Sequence, residues 1–248
     1  MISPTSRPAM PARRPHVLLL NASLAGDAGN TAGLLARAHR LLARRATVES
    51  LTLASLAVAA SASDSPPAAL HPQLLTALSR ANGFLLGTGT HWDSWSSVLQ
   101  TFLEDATPHE GTALWLGKPA AVVVSEHSTG GKGVLSRLQG VLVTLGCTLP
   151  PMSGLVLSRA ALLATQHAPD PATTADFWCE ADLRVVCHNL AEAARVSLPG
   201  ATPPAPPLAH VARRPPRFPC ALDHLSTPRS RAARPPRDRR FPRRLPPP

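Results

Sequence analysis

Residues 16–53 read HVLLLNASLAGDAGNTAGLLARAHRLLARRATVESLTL. The stretch opens with a short continuous run of apolar residues, which is typical of a strand that is buried on both faces of a sheet. Small and polar residues at 22–30 interrupt this run, as a loop would. Over residues 34–42 the leucines and alanines recur at helical spacing, with arginines on the other side. The stretch therefore predicts a strand, a loop, a helix and, over residues 47–53, a second strand.

The same alternation continues along the chain. Three further apolar runs, at residues 83–88, 120–125 and 155–158, predict three more buried strands. Helices are predicted over residues 72–80, 95–103, 132–146 and 174–196. Because each connection between parallel strands needs about the length of a helix, this alternation predicts a three-layer α/β fold with a parallel sheet. Ligands of such sheets bind beyond the carboxyl ends of the strands.

Positive charge is concentrated at the two ends of the chain, whose 248 residues have a formal net charge of +10. Residues 1–15 hold three arginines and no acid, and residues 201–248 hold 11 arginines and two aspartates. The last 48 residues also contain 14 of the 28 prolines, which predicts disorder. We therefore predict a disordered arm at 1–15, a folded domain at 16–198 and a disordered Arg/Pro-rich tail at 199–248. Two interpretations of the tail stay open: it binds nucleic acid or another partner through its arginines, or it is an extension without function. No other part of the chain is expected to bind nucleic acid.

The cysteine pattern and the hydropathy of the sequence bear on metal binding, membrane association and cellular location. The four cysteines, Cys147, Cys179, Cys187 and Cys220, form no C-x-x-C pair of the kind that holds zinc or an iron-sulfur cluster. No stretch approaches the roughly 20 apolar residues of a membrane span, and residues 1–15 lack the apolar core of a secretory signal. We expect a cytoplasmic protein with no metal site and no membrane association.

The first predicted loop, residues 23–31 (SLAGDAGNT), leads directly into a helix, where Asn30 or Thr31 is placed to cap the first turn. Backbone N–H groups, small hydroxyls and the helix dipole make such a loop an anion site that suits a phosphate. The loop lacks the spacing of G-x-x-x-x-G-K-[ST] and of G-x-G-x-x-G, which disfavours ATP hydrolysis and dinucleotide binding in the Rossmann manner. The alternative interpretation is a capped helix that binds no ligand.

Two further loops carry residues suited to a flat ring. Residues 88–95 (TGTHWDSW) offer the ring faces of His91, Trp92 and Trp95 for stacking. A position in the core or an interface explains Trp95 equally well, but explains Trp92 less well. Residues 125–133 (SEHSTGGKG) contain a double glycine that lets the main chain approach a ligand. Lys132 is placed to lie near an anion, whereas the lone His127 is better explained as a solvent-exposed loop residue than as a general base.

These loops and their flanking strands resemble a known family. Residues 17–35 (VLLLNASLAGDAGNTAGLL), 83–108 (GFLLGTGTHWDSWSSVLQTFLEDATP) and 117–154 (GKPAAVVVSEHSTGGKGVLSRLQGVLVTLGCTLPPMSG) are similar to the flavodoxin-fold, NADPH-dependent FMN reductases. The resemblance covers about residues 16–198. It implies a flavodoxin-like sheet of five parallel strands in the order 2-1-3-4-5, one FMN per subunit and a homodimer.

The resemblance also implies the activity and the residues that bind the cofactor. NADPH or NADH would deliver a hydride to flavin N5, and the electrons would pass to a quinone, a flavin or another small acceptor, with no catalytic acid or base from the protein. The FMN-binding residues so implied are Ser23, Gly29, Asn30 and Thr31 in the first loop, Thr88, Gly89, Thr90, His91, Trp92 and Asp93 in the second, and His127, Ser128, Gly130 and Gly131 in the third.

The sequence departs from the family pattern at one position that bears on the phosphate. Ala25 stands where the family commonly has arginine or lysine, so a cation beside the phosphate is lost. Two other function classes stay open at this point. One is a flavodoxin-like electron carrier without NAD(P)H activity, and the other is a non-enzymatic module whose basic tail binds nucleic acid.

Overall fold

The computed structural model of the protein describes residues 13–56, 70–167 and 180–197. The strands are β1 (His16–Asn21), β2 (Thr47–Thr52), β3 (Gly83–Gly89), β4 (Ala120–Glu126) and β5 (Gly154–Ser158). The principal helices are α1 (Asn30–Leu42), α2 (Pro72–Arg80), α3 (Ser97–Ala106), α4 (Gly131–Leu145), α5 (Arg159–His167) and α6 (Glu180–Val196). Short 3-10 helices cover Gly26–Ala28 and Thr107–His109.

The strands form one parallel sheet in the order β2-β1-β3-β4-β5, which confirms the flavodoxin-like order implied by the resemblance. Leu18 lies beside Phe84, Leu85 beside Ala121 and Val123 beside Leu155. Because every pair is parallel, all five carboxyl ends meet at one edge of the sheet. The loops after β1, β3 and β4 therefore start from neighbouring strands.

Alternate residues of the central strands pack into two separate cores. Leu18, Phe84 and Val122 face the layer that contains α2, α3 and α4, whereas Leu19 and Leu85 face the layer that contains α1 and α6. Both faces of the central strands are thus covered, which explains their nearly continuous apolar sequences.

The first of these cores has an aromatic centre. Trp115, which belongs to the loop before β4, is fully buried, and its ring lies 5.2 Å from that of Phe84 and 6.0 Å from that of Phe102. These pairs are tilted or edge-on, the arrangements that aromatic rings prefer. The aromatic cluster anchors the long segment between α3 and β4 beneath the sheet.

The helices differ most from the prediction at α3, which spans Ser97–Ala106, and at α5. The predicted helix at 95–103 was wrong at its start, because α3 begins at Ser97. The hydroxyl of Ser96 caps it, accepting a hydrogen bond from Leu99 N at 3.1 Å. Helix α5 was not predicted: it follows β5 without a loop, and the Ser158 hydroxyl accepts from Ala161 N at 3.3 Å.

The predicted terminal segments fall largely outside the described residues. Residues 1–12 of the arm and the whole tail at 199–248 are not described, nor are residues 168–179 of the predicted last helix, whose described part is α6. Cys179 and Cys220 also lie outside the described residues. Within residues 13–56, 70–167 and 180–197, no helix combines the length and apolar character that a membrane span requires.

Candidate functional site

Hydrogen bonds join the three predicted loops at the carboxyl edge of the sheet. Thr90 N donates to the Ser125 carbonyl at 2.9 Å, which links the second loop to the third. The Thr31 and Ser125 hydroxyls lie 2.7 Å apart, so the start of α1 contacts the end of β4. The buried Ser96 hydroxyl donates to the Ala22 carbonyl at 2.5 Å, which links the residue after the second loop to the residue before the first. The loops therefore form one continuous surface.

The first loop is shaped by its own side chains. The amide of buried Asn21 accepts from Ser23 N at 3.1 Å and donates to the Gly26 carbonyl at 3.0 Å. The Ser23 hydroxyl accepts from Ala25 N at 3.2 Å. These local bonds fix the backbone between β1 and α1 before any ligand is present.

The start of α1 has no side-chain cap. Gly29 occupies the N-cap position, and the first turn contains no acid. The prediction that Asn30 or Thr31 caps the helix was wrong, because the Thr31 hydroxyl is bound to Ser125 instead. The first N–H groups of an α-helix lack partners within the helix, and the helix dipole makes this end positive. The start of α1 is therefore suited to an anion such as a phosphate.

The second loop ends in a tight turn with a tryptophan at its tip. Trp92 (φ 48°) and Asp93 (φ 57°) both have left-handed backbone conformations, and His91 and Ser94 exchange backbone hydrogen bonds of 2.8 and 2.9 Å around them. The side chain of Trp92 is fully exposed. Bulky residues with positive φ are strained outliers, and such strain is concentrated at functional sites.

A residue that the sequence analysis missed holds this turn in place. Arg137, on α4, donates from its guanidinium to the Asp93 carbonyl, and its Cζ lies 5.6 Å from the centre of the Trp95 ring. Trp95 is partly buried against the core and donates from Nε1 to Gln100 Oε1 at 2.8 Å. Trp95 thus belongs to the scaffold, while Trp92 is presented to solvent.

The third loop has two glycines where no side chain fits. Gly130 is the N-cap of α4 with φ 93°, and a Cβ there would collide with the Asp93 carboxylate. A Cβ on Gly131 would lie 2.5 Å from Val156 Cγ1. The Gly131 N–H donates to Glu126 Oε2 at 2.5 Å, so a carboxylate of the protein already occupies this helix start. The close packing of Gly130 brings the third loop against the second.

One buried polar atom between these loops has no partner in the described part of the chain. Thr90 Oγ1 is inaccessible to solvent and makes no hydrogen bond among the described residues. Leaving a buried hydroxyl unsatisfied costs about 1–3 kcal/mol. The Thr90 methyl lies 3.2 Å from the position a Cβ would take on Gly130, which places the hydroxyl where the second and third loops meet. A polar ligand atom there would remove this penalty.

The sequence model of the NADPH-dependent FMN reductase family matches residues 15–161. The chain belongs to this family. Membership makes it an FMN-dependent oxidoreductase, and the matched residues include all three loops. No curated protein sequence matches the chain.

Solved structures share the fold of this FMN reductase family member at low sequence identity. An oxidoreductase from Corynebacterium diphtheriae is 16% identical, covers 73% of this chain and 97% of its own, and has a TM-score of 0.54. The flavoenzyme NAD(P)H:acceptor oxidoreductase FerB from Paracoccus denitrificans is 18% identical with coverages of 73% and 97% and a TM-score of 0.51. The apo form of the NADH:FMN oxidoreductase EMOB is 17% identical with coverages of 79% and 96% and a TM-score of 0.52.

The resemblance implied a set of FMN-binding residues, and all of them lie at the carboxyl edge of this FMN reductase family member. They differ in how exposed they are. Ser23, Thr31 and Thr88 are buried, Gly29, Gly89 and Thr90 are partly buried, and Asn30, His91, Trp92, Asp93, His127 and Ser128 are exposed. The His127 carbonyl accepts from Ala160 N at 2.8 Å, which ties the third loop to α5. The sequence analysis did not identify Ser96 as a residue that connects the loops. A signal was present, because a serine three residues before an apolar helical position is typical of a helix cap.

The described cysteines take no part in this site. Burial raises the pKa of the Cys147 and Cys187 thiols to about 12, and both side chains lie in the packed cores. A thiol with such a pKa is neutral near pH 7 and is a poor nucleophile. Neither thiol is therefore placed to act as a nucleophile at the carboxyl edge of this FMN reductase family member.

Proposed function

We propose that the protein binds FMN with its phosphate at the start of α1 and its ring between the second and third loops. In this proposal it oxidises NADPH or NADH and reduces a small acceptor such as a quinone or a flavin. FMN held there would supply the redox chemistry between the nicotinamide and the acceptor. The residues of the chain bind and orient the reactants.

The observation that carries the proposal is the uncapped start of α1. Backbone N–H groups, the positive end of the helix dipole and the hydroxyls of Ser23 and Thr31 together favour a phosphate here. Ala25 supplies no cation, so the site relies on backbone and hydroxyl donors alone. We infer that FMN affinity in this chain is weaker than a loop with an arginine would give, and less sensitive to salt.

The buried hydroxyl of Thr90 supports the placement of the ring. An unsatisfied donor beside Gly130 is suited to a carbonyl oxygen or a nitrogen of a flavin ring. Gly130 lets the third loop pack directly against Thr90 and Asp93 of the second, and its φ of 93° excludes ordinary side chains. The exposed rings of His91 and Trp92 then stand at the entrance, where they are suited to stacking on the nicotinamide or an aromatic acceptor.

We propose a homodimer as part of the same function. Two large apolar side chains are exposed in the loops around the site, Leu24 at 49% and Trp92 completely. Exposed apolar groups near a cofactor site are suited to an interface. Light scattering during size-exclusion chromatography would give a mass of about twice 26.1 kDa if this part of the proposal is correct. A mass of one chain would contradict it.

A spectrum taken before and after reduction tests the proposal. Purified protein is mixed with FMN, desalted, and then treated with NADPH or NADH without oxygen. We expect flavin absorption to remain after desalting and to bleach on addition of the nicotinamide. Retained absorption that does not bleach would instead identify an electron carrier. Desalting that removes all flavin, together with no binding in a fluorescence titration, would contradict FMN as the cofactor.

A matched pair of variants tests the ring position. Thr90→Val removes the unpartnered hydroxyl at nearly constant volume and should weaken FMN binding about tenfold, the loss expected for one buried hydrogen bond. Thr101→Val is the control, since the Thr101 hydroxyl bonds only its own helix at Ser97. Equal FMN affinity in the two variants would contradict the assigned role of Thr90.

A further inference from the structure

The turn at residues 91–94 places a carboxylate where the second and third loops meet. Asp93 has φ 57°, and its Oδ1 lies so close to Gly130 that a Cβ on this glycine would collide with it. The same Cβ position lies 3.2 Å from the Thr90 methyl. Asp93 and Thr90 therefore flank one glycine at the junction of the two loops.

The Asp93 carboxylate makes no hydrogen bond and no ion pair among the described residues. Arg137 donates to the main-chain carbonyl of Asp93, and its guanidinium lies over the Trp95 ring. Arg137 Nε also donates to the Gly133 carbonyl at 3.4 Å. Lys132, on the first turn of α4, is exposed and has an interaction of its own. Arg137 thus fixes the backbone of the turn and leaves the carboxylate oxygens of Asp93 able to accept.

The two carboxylates of these loops differ in what they can offer a ligand. Glu126 Oε2 already accepts from Gly131 N at 2.5 Å, so it serves the start of α4. Asp93 has no such contact, and the buried Thr90 hydroxyl beside Gly130 also lacks a partner in the described part of the chain. The junction therefore offers a carboxylate that accepts and a hydroxyl that can donate.

We propose that Asp93 determines specificity for the flavin ring by accepting a hydrogen bond from its N3–H, while the Thr90 hydroxyl donates to a neighbouring ring carbonyl. The inference rests on the proposed function, because it requires FMN between these loops. The pyrimidine edge of a flavin carries one N–H between two carbonyl oxygens, so an acceptor beside a donor matches it. A hydrogen bond to a charged group is stronger than one between neutral groups, which makes Asp93 the larger contributor.

Fluorescence titrations of the full chain with FMN and with N3-methyl-FMN test this inference. Methylation removes the ring N–H and keeps the phosphate, the ribityl chain and both ring carbonyls. Wild-type protein should bind FMN about tenfold more tightly than N3-methyl-FMN, the loss expected for one hydrogen bond to a charged group.

Three variants separate the hydrogen bond from other effects. Asp93→Gly removes the carboxylate, and glycine suits the left-handed backbone of the turn. It should weaken FMN binding about tenfold and change the affinity for N3-methyl-FMN less than twofold. Asp93→Asn should lose less, because its amide oxygen accepts without a charge. Glu110→Gln is the control: it removes one carboxylate charge at an exposed position and should leave both affinities unchanged.

Two results would overturn the inference while FMN is still bound. One is equal affinity of the wild type for the two flavins. The other is an unchanged ratio of the two affinities in Asp93→Gly, which would make Asp93 a structural residue of the turn. Wild-type protein that binds neither flavin would instead contradict the FMN proposal and this inference together. Circular dichroism and the unfolding midpoint of each variant show whether it is folded.

Discussion

Helices α1 and α4 begin in similar sequence contexts but with opposite electrostatics. Each follows a buried strand and a glycine-containing loop, and each has glycine at the N-cap, Gly29 for α1 and Gly130 for α4. The start of α4 already holds a carboxylate of the protein, since Glu126 accepts from Gly131 N. The first turn of α1 holds none, and Asp27 in the loop before it accepts from the Thr52 hydroxyl at 2.6 Å instead. A glycine-rich loop before a helix is therefore an anion site only when the chain leaves it free of its own acids.

This difference assigns separate tasks to the two loops. A phosphate at the start of α4 would face the negative charge of Glu126, and like charges in close contact repel. A phosphate at the start of α1 faces hydroxyl and N–H groups. The third loop is then left to contact an uncharged part of a ligand, which agrees with its packing against Thr90 and Asp93.

The largest effect should come from disturbing the start of α4. Gly130→Ala forces a side chain onto φ 93° and against the Asp93 carboxylate, which should lower the free energy of unfolding by about 2 kcal/mol and abolish FMN retention. Gly133→Ala is the control, since no atom outside its chain neighbours and its own helix backbone lies within 4 Å of the added Cβ. It should be neutral or raise stability by up to about 1 kcal/mol. Urea unfolding measures both, and equal stabilities would show that the third loop tolerates a side chain.

Removing a hydroxyl at the start of α1 should affect the phosphate selectively. Ser23→Ala should weaken FMN binding about tenfold while changing riboflavin binding little, because riboflavin lacks the phosphate. Ser128→Ala in the third loop should leave the ratio of FMN to riboflavin affinity unchanged. Fluorescence titrations with both flavins measure this ratio. A drop in the ratio for Ser128→Ala but not for Ser23→Ala would reverse the assignment of the two loops.

The five strands and their parallel pairing could be predicted from the sequence, because the central strands are buried on both faces. The apolar runs at 16–21 and 120–126 have no competing helical period, and their separation by helix-length segments requires parallel pairing. The positions of the three loops follow directly. The cap of α1 was harder to predict, since Gly29, Asn30 and Thr31 all favour helix starts and the path of the preceding turn decides among them.

Side-chain contacts between residues far apart in the chain could not be predicted from the sequence. Arg137 and Asp93 are 44 positions apart, and Ser96 and Ala22 are 74 apart, so their bonds depend on how the helices lie on the sheet. The two loop tryptophans show the same limit. Trp92 is exposed because it forms the tip of a turn with Asp93, whereas Trp95 follows the turn and packs against the core. Residue type alone gives no such distinction.

Adding a cation to the first loop should sharpen the contrast. Ala25→Arg restores the charge that the family commonly has, and it should tighten FMN binding about fivefold at low salt, the size of an exposed ion pair. The gain should fade as salt is raised. Ser128→Arg places the same charge in the third loop and should give a smaller gain. Equal gains from both would indicate that net charge, rather than the start of α1, determines the affinity.

The smallest effect should come from neutralising the carboxylate at α4. Glu126→Gln keeps an oxygen that accepts from Gly131 N but loses its charge, so the free energy of unfolding should fall by only about 0.5 kcal/mol. FMN affinity should stay equal or rise slightly, because a nearby negative charge is removed. Glu110→Gln, at an exposed position, controls for the general change in charge. A clear loss of FMN affinity in Glu126→Gln alone would mean that this carboxylate accepts a hydrogen bond from the ligand, and the two helix starts would then share the work of binding it.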